Sequence, residues 1–347
     1  MKHIIRKKKT KTKTKTKSKT KSKSKHNFNY YDSETNKKIT NKKILDYISS
    51  LVIPPAWSNV VIAYPNSKNK RLAVGYDDAN RLQSVYSANS IKERENKKIN
   101  NLIIMANNMP KINRKINRDI NKKNTKNGIS KDKLIALIIK IIMKCNFRVG
   151  KDLYKVKYNS TGITTITRRN IKMYPSHVTI SFNGKKGVFN QCSIKDRQIL
   201  NILKRLYKAK NKDIFTYVES ESDSVYDSNY NKSITIDERD VNEYLKQFDK
   251  NITSKNFRTY NANMLYLNKI QRYQQPQTIT ARKKLSNEVV KDVAIHLHHT
   301  PAICKKSYLN RDIVDSYINS PQVFNKYFIS NKNSNSIQFI KFLKNNK

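Results

Sequence analysis

Glycine is scarce in this chain, with six in 347 residues. A loop that wraps nucleotide phosphates in its backbone needs several glycines close together, and no Walker-type phosphate loop is present. Cysteine is scarcer. Cys145, Cys192 and Cys304 are too few and too far apart for a disulfide framework or a zinc pattern, which points to a reducing intracellular compartment. No Cys/His cluster offers a metal site, so any reaction is expected to use side chains alone, with no cofactor. Long apolar runs are also missing. The longest, residues 134–143, is interrupted by Lys140 and is far shorter than the ~20 residues of a bilayer span. The basic start leads into no apolar segment of the kind a secretory signal carries. Acidic residues are few, 25 Asp+Glu against 72 Lys+Arg, leaving a formal charge of +47. Such a charge costs self-repulsion, so a polyanionic partner is expected: nucleic acid first, an anionic membrane surface second.

Residues 1–26 alternate Lys with Thr or Ser and carry 13 of the basic residues. With almost nothing apolar to bury, they are expected to form a disordered tail that adds salt-sensitive, sequence-independent affinity for DNA. From residue 27 the composition changes. Residues 27–31 and 38–40 flank a polar turn, as a short hairpin would. Residues 41–51 have helical spacing. Ile53-Pro54-Pro55-Ala56-Trp57 is expected to be extended, because a residue before proline avoids the helical region. Residues 60–64, 72–76 and a strand ending near Tyr86 complete a small β-rich domain.

After about residue 90 the pattern turns helical. Residues 130–146 form the strongest helix and deliver the chain to Arg148. Residues 177–182 and 188–193 read as strands joined by Asn183-Gly184-Lys185-Lys186-Gly187, a turn with glycines where positive φ is needed. Residues 195–206, 241–248, 285–298 and 338–343 read as helices. The acidic stretch 219–227 reads as a surface loop, since Ser-spaced acids imply no rigid ligand geometry. The reading is an α+β protein in three parts: a tail at 1–26, a β-rich DNA-binding domain at 27–90 and a mostly helical catalytic domain at 91–347.

Five positions suit one chemistry. They are Arg148 in Asn146-Phe147-Arg148-Val149-Gly150, Lys185 at the hairpin tip, Arg258 in Phe257-Arg258-Thr259, and His299 and Tyr308 in the segment that opens His299-Thr300-Pro301. With Val74-Gly75-Tyr76-Asp77, Thr161-Gly162-Ile163-Thr164-Thr165 and Asp240-Val241-Asn242-Glu243-Tyr244-Leu245, they occur in the order found in the compact type IB DNA topoisomerases of poxviruses, giant viruses and some bacteria, which the chain resembles over residues 27–308. The resemblance implies a catalytic domain shared with tyrosine recombinases, a clamp around duplex DNA, and a monomer with no metal, cofactor, small-molecule substrate or membrane partner. It implies Tyr308 as nucleophile, with Arg148, Lys185, Arg258 and His299 as its catalytic partners. It also suggests DNA contacts at Arg81, Gln83 and Tyr86 in the N-terminal domain and at Lys151 and Tyr154 after Arg148. Leu82 and Ser84 stand where a poxvirus enzyme has arginine and tyrosine, so the same cleavage-site preference is not expected.

The residue types fit that chemistry. A tyrosine must lose its phenolic proton to attack a phosphodiester, and neighbouring guanidiniums favour the phenolate. Two arginines can each offer a fork to the non-bridging oxygens, and a lysine can protonate the leaving 5′ oxygen. Two alternatives use the same facts. A tyrosine recombinase shares the four residue types but usually carries a helical core-binding domain. A non-enzymatic DNA-compacting protein explains the charge but leaves the ordered motifs without a purpose.

Overall fold

The computed structural model describes residues 2–9, 28–124, 128–209, 211, 213–219, 232–330 and 333–345. They fall into two compact units, Met1–Lys97 and Lys98–Lys347.

The first unit comprises β1 (His3–Lys8), β2 (Phe28–Asp32), α1 (Lys42–Ser50), β3 (Ser58–Ala63), β4 (Arg71–Tyr76) and β5 (Leu82–Tyr86). The strands make one antiparallel sheet in the order β2-β1-β3-β4-β5. Ile4, Ile48, Val60, Ile62 and Ala73 form its core. The Asn41 side chain accepts from the Ile44 N–H and starts α1.

The expected tail is corrected at its start, because residues 3–8 are an interior strand. Average composition hides the local alternation that buries Ile4 and Arg6 on one face. Arg6 Nη1 donates to Pro54 O at 3.1 Å, Nη2 donates to Trp57 O, and the guanidinium lies 4.2 Å from the Phe28 ring centroid. The rest of the expected tail, 10–26, lies outside the described residues. β2 finds its partner in β1, and residues 38–40 contribute only an isolated bridge from Lys38 to Tyr31. The proline segment is a turn closed by Trp57 N–H donating to Pro54 O, not an extended run. The boundary expected at 90 falls at 97, inside a helix.

That helix is α2 (Ala88–Asn121), which carries the chain into the second unit. There follow α3 (Lys131–Cys145), α4 (Asp152–Tyr158), β6 (Ile171–Met173), β7 (Val178–Asn183), β8 (Phe189–Ile194), α5 (Arg197–Lys208), β9 (Thr216–Glu219), β10 (Lys232–Thr235), α6 (Glu238–Lys246) and α7 (Ser254–Ile270). Then come α8 (Ile279–His296), α9 (Pro301–Ile303), a π-helical turn (Cys304–Tyr308), α10 (Arg311–Asn319), α11 (Pro321–Phe328) and α12 (Asn335–Asn345). β6, β7 and β8 form an antiparallel sheet, and β9 pairs with β10. Helix α3 is apolar nearly all round and is the centre of this unit, packed by α6, α7 and β8.

The expectation of no disulfide is also corrected. Cys145 and Cys192 are joined, their Cα atoms 5.7 Å apart, while Cys304 is free and buried. A separation of 47 residues gives no local sign that the end of α3 and the middle of β8 adjoin. Residues 220–227 of the acidic stretch lie outside the described residues. Among the described residues no helix is long and apolar enough to cross a membrane.

Candidate active site

Arg148 is placed by the end of α3. Asn146 ends that helix in the left-handed conformation, at φ 53°. Its Nδ2 donates to His296 O, and its Oδ1 accepts from Asn261 Nδ2 on α7. Phe147 then buries its ring fully. The Arg148 carbonyl accepts from Ile163 N–H at 2.9 Å, and Gly150 N–H donates to Thr164 Oγ1 at 2.9 Å. The two backbones touch. A Cβ on Gly150 would lie 2.6 Å from Thr165 Oγ1, and one on Gly162 would lie 2.2 Å from Val149 O. At Gly162 the clash is with backbone, which cannot yield; at Gly150 it is with the β-branched Thr165 side chain, whose hydroxyl is bonded to Gly162.

Arg258 sits in the first turns of α7 and is 2% exposed. Its Nη2 donates to Leu297 O at 2.7 Å, tying α7 to the end of α8. There His298 takes the left-handed position, φ 53°, that glycine usually fills at a helix end. Its Nε2 is 3.0 Å from Cys145 O, and its ring stacks on Phe147 with centroids 5.4 Å apart. His299 follows. The Thr300 hydroxyl and Pro301 start α9, and the chain widens into the π turn, where Leu309 N–H donates to Cys304 O. Tyr308 closes that turn. Asn263 on α7 holds it in place, its Nδ2 donating to Tyr308 O at 3.0 Å and its Oδ1 accepting from Asn310 N–H at 2.8 Å.

Four of the five expected residues therefore meet. Arg148 Nη2 donates to the Tyr308 hydroxyl at 3.3 Å across 160 residues of sequence. The Arg258 guanidinium is 5.3 Å from the Tyr308 ring centroid, and the His299 ring stacks on Tyr308 at 4.6 Å. Burial alone would push the Tyr308 phenol up. The charges of Arg258 and Arg148 outweigh it, so the phenol ionises more readily than a free tyrosine. Burial first, and Arg148 second, push Arg258 down to about 10, still fully charged at neutral pH. Burial and then Arg258 push His299 down to about 4, which leaves a neutral imidazole.

Among the described residues, Arg258 Nε and Nη1 and both His299 ring nitrogens are buried with no well-formed hydrogen bond, although Arg258 lies near enough to the Tyr308 hydroxyl, and His299 to the Thr300 backbone, to interact weakly. Leaving buried polar groups unpaired costs about 1–3 kcal/mol each. Donors left bare beside a tyrosine hydroxyl suit a tetrahedral anion, which a phosphodiester supplies.

Lys185 stands apart from these four. It is exposed at the tip of the β7–β8 hairpin and makes no hydrogen bond with them. Lys186 and Gly187 adopt positive φ there, and Gly184 N–H donates to Val188 O. A cleft of about 470 Å³ separates the hairpin, at Val188, Phe189 and Gln191, from Ile295, His298 and His299. The strand that leaves the tip therefore lines the same opening as His299, although Lys185 itself is not part of its wall.

The expected DNA contacts are already engaged. Arg81 pairs with Asp77 at 2.7 Å, and Gln83 Nε2 donates to Asp77 Oδ2 at 2.8 Å. The Arg94 guanidinium covers Tyr86 at 3.6 Å. Lys151 pairs with Glu238 at 2.8 Å, and Tyr154 is exposed on α4. Sequence reasoning missed Asn263 and gave His298 no role of its own. A polar residue five positions after Arg258 in a buried helix stripe was the available signal for the first.

Residues 87–329 match the family described as eukaryotic DNA topoisomerase I, catalytic core, and residues 27–77 match the bacterial DNA topoisomerase IB N-terminal domain. The chain is 30% identical to DNA topoisomerase 1B of Acanthamoeba polyphaga mimivirus over 318 residues, 90% of each chain. It is 27% identical to DNA topoisomerase I of Monkeypox virus and 26% to DNA topoisomerase 1B of Vaccinia virus (strain Copenhagen), each over 78% of this chain and 81% of the relative.

Proposed function

The chain belongs to the eukaryotic-type DNA topoisomerase I family, the type IB topoisomerases, and from that membership we propose that it relaxes supercoiled duplex DNA through a 3′-phosphotyrosyl intermediate on Tyr308. The observation that carries the reading is the hydroxyl of Tyr308, held by Arg148 beside the unpaired donors of Arg258 and His299.

In the proposed reaction the phenol gives its proton to solvent, aided by the two guanidiniums, and its oxygen attacks the phosphorus. The Tyr308 O–P bond forms as the P–O5′ bond breaks. Arg148 and Arg258 hold the non-bridging oxygens, and neutral His299 donates one N–H to the same charge. Preorganised donors of this kind are worth on the order of 10²–10³ in rate each. Lys185 gives a proton to the departing 5′ oxygen once the hairpin tip reaches the bound strand. The free 5′ end rotates, then attacks back and expels Tyr308. Neither ATP nor a metal is consumed, because the phosphotyrosine bond keeps the energy of the broken strand.

The two units would act as a clamp on the duplex, as a monomer inside the cell. Arg81, Gln83 and Tyr86 would serve from the N-terminal unit, and Lys151 and Tyr154 beside the site. Contact from Arg81 and Gln83 requires Asp77 to release them or to orient them for a base edge. The test is plasmid relaxation in EDTA without ATP, on wild type and Tyr308→Phe, with a detergent quench to trap covalent DNA. Wild type should relax supercoils of both signs and carry DNA at a 3′ end, and the variant should bind but do neither. A Tyr308→Phe protein that still relaxes plasmid refutes the nucleophile.

A further inference from the structure

Residues 145–147, just before Arg148, touch the elements that carry Arg258, His299 and Lys185. Asn146 accepts from Asn261 on α7, three residues after Arg258. Cys145 O meets His298 Nε2, next to His299. Phe147 packs against Phe182 of β7 with centroids 4.8 Å apart, and Cys145 is bonded to Cys192 of β8. The first two links hold fixed helices. The last two hold the hairpin that presents Lys185, Phe182 near its tip and Cys192 further along β8, and only the second is covalent.

We propose that the Cys145–Cys192 disulfide is a redox-sensitive lock that positions Lys185 for leaving-group protonation. The proposal rests on the function assigned above. Cys192 pairs with Ile180 in the middle of the β7–β8 ladder, whose last pair, Asn183 with Phe189, lies just before the tip. From Cys192 to the tip is about five residues, or roughly 16 Å of strand. A pivot of about 4° at the base therefore moves the tip by about 1 Å, and a misplacement of that size costs on the order of 10²-fold in a positioned step. With the disulfide closed, Lys185 is held against such a pivot from the same residue that anchors the Arg148 and His299 segments. With it open, β7 keeps its ladder with β6, the bond from Thr161 N–H to Asn183 O and the Phe147–Phe182 contact, but β8 loses its one covalent tie to the end of α3.

The bond is placed to be opened from one side. Cys145 is 3% exposed, whereas Cys192 is half-buried and lines a surface cleft with Lys144, Ser193 and Lys195. The reductant is a dithiol, small or protein-borne. One of its thiolates attacks Cys192 Sγ, the more accessible sulfur in a cleft where Asp196 pairs with Lys144, and the Cys145 sulfur leaves and takes a proton. The second thiol then resolves the mixed disulfide and frees Cys192. Two electrons and two protons pass to the protein, and the dithiol becomes a disulfide. Oxidation by a disulfide such as oxidised glutathione runs the same steps in reverse.

The test compares oxidised wild type, dithiothreitol-reduced wild type and Cys192→Ser. Alkylation after denaturation should count one thiol in the oxidised protein, Cys304, and three in the reduced one. Single-turnover cleavage is then measured on a duplex with an ordinary 5′-oxygen leaving group and on one with a 5′-bridging sulfur, which leaves without needing a proton. Reduction should slow the oxygen substrate by about 10- to 100-fold and the sulfur substrate by less than threefold. Cys192→Ser should match the reduced protein and ignore dithiothreitol. Amide hydrogen exchange across 183–189 should quicken on reduction. Three free thiols after oxidation, equal slowing of both substrates, or a redox-insensitive cleavage rate each overturn the lock. If oxidised wild type forms no covalent adduct, the assigned chemistry fails, and the exchange rates decide the lock by themselves.

Discussion

Replacing Arg258 with lysine keeps a positive charge and removes a fork. The guanidinium spends Nη2 on Leu297 O at 2.7 Å and leaves Nε and Nη1 buried and unpaired. A lysine ammonium has three donors on a shorter reach. If one still serves Leu297, it cannot present two parallel donors to one phosphate. Losing one preorganised donor costs on the order of 10²–10³ in rate, or about 3–4 kcal/mol of transition-state stabilisation. Arg258→Ala loses both donors and the charge that depresses the Tyr308 phenol, so its loss should exceed about 10⁴. It should also move the rising limb of the pH–rate profile to higher pH, since the phenol then ionises less readily. The assay is single-turnover cleavage of a suicide duplex, quenched in detergent, from about pH 6 to 10 where tyrosine begins to ionise. DNA binding is measured in parallel and should change little. An Arg258→Lys protein within threefold of wild type would refute the fork. An alanine variant with an unshifted profile would refute the electrostatic account of the nucleophile.

Other consequences follow from the same contacts. His299, held at about 4 against an ordinary 6.5, should remain neutral in the DNA-free protein across mildly acidic pH. Between those values the unfolded chain takes a proton that the folded one refuses, so stability falls as pH drops through that window. Imidazole NMR shifts that titrate near 6.5 would sink this. Gly150→Ala places a methyl 2.6 Å from Thr165 Oγ1 and should cost about 1–3 kcal/mol. It should also slow cleavage by displacing Arg148, and an unchanged melting temperature would count against the close packing. Arg6→Ala strips the Pro54 and Trp57 carbonyls of their donor. It should destabilise the N-terminal unit by about 2–3 kcal/mol in urea unfolding, whereas a tail residue would show no effect.

What could be read from the sequence was local. Helix α3 was legible because nine of its fifteen residues are buried apolar side chains, and the hairpin because Gly184 and Gly187 bracket two lysines. The motif around Gly162 carried its own explanation, since a glycine beside two threonines fits a backbone that approaches another chain segment. The strand at Ile4 was hidden because six residues cannot outweigh the lysine-rich stretch that follows them. The Cys145–Cys192 bond and the His298 contact were hidden for a different reason. They depend on the end of α3 meeting β8 and α8, which no spacing within any one of them encodes. The meeting of Arg148 with Tyr308 was reached through resemblance, not through physics.

Strand β1 carries a practical consequence for anyone altering the charge of this protein. It is paired on one side with β2 and on the other with β3. A truncation meant to strip the lysines by removing residues 1–26 would pull a middle strand from the sheet and expose two unpaired edges. Any lost affinity would then mix misfolding with missing charge. Lys8 and Phe28 are partners in the ladder, so residues 10–27 can be cut out and the gap bridged by a short hairpin turn. That variant keeps every described strand and discards eight lysines. The slope of log affinity against log salt then becomes a direct count, flattening by about 0.9 for each phosphate contact those lysines supplied.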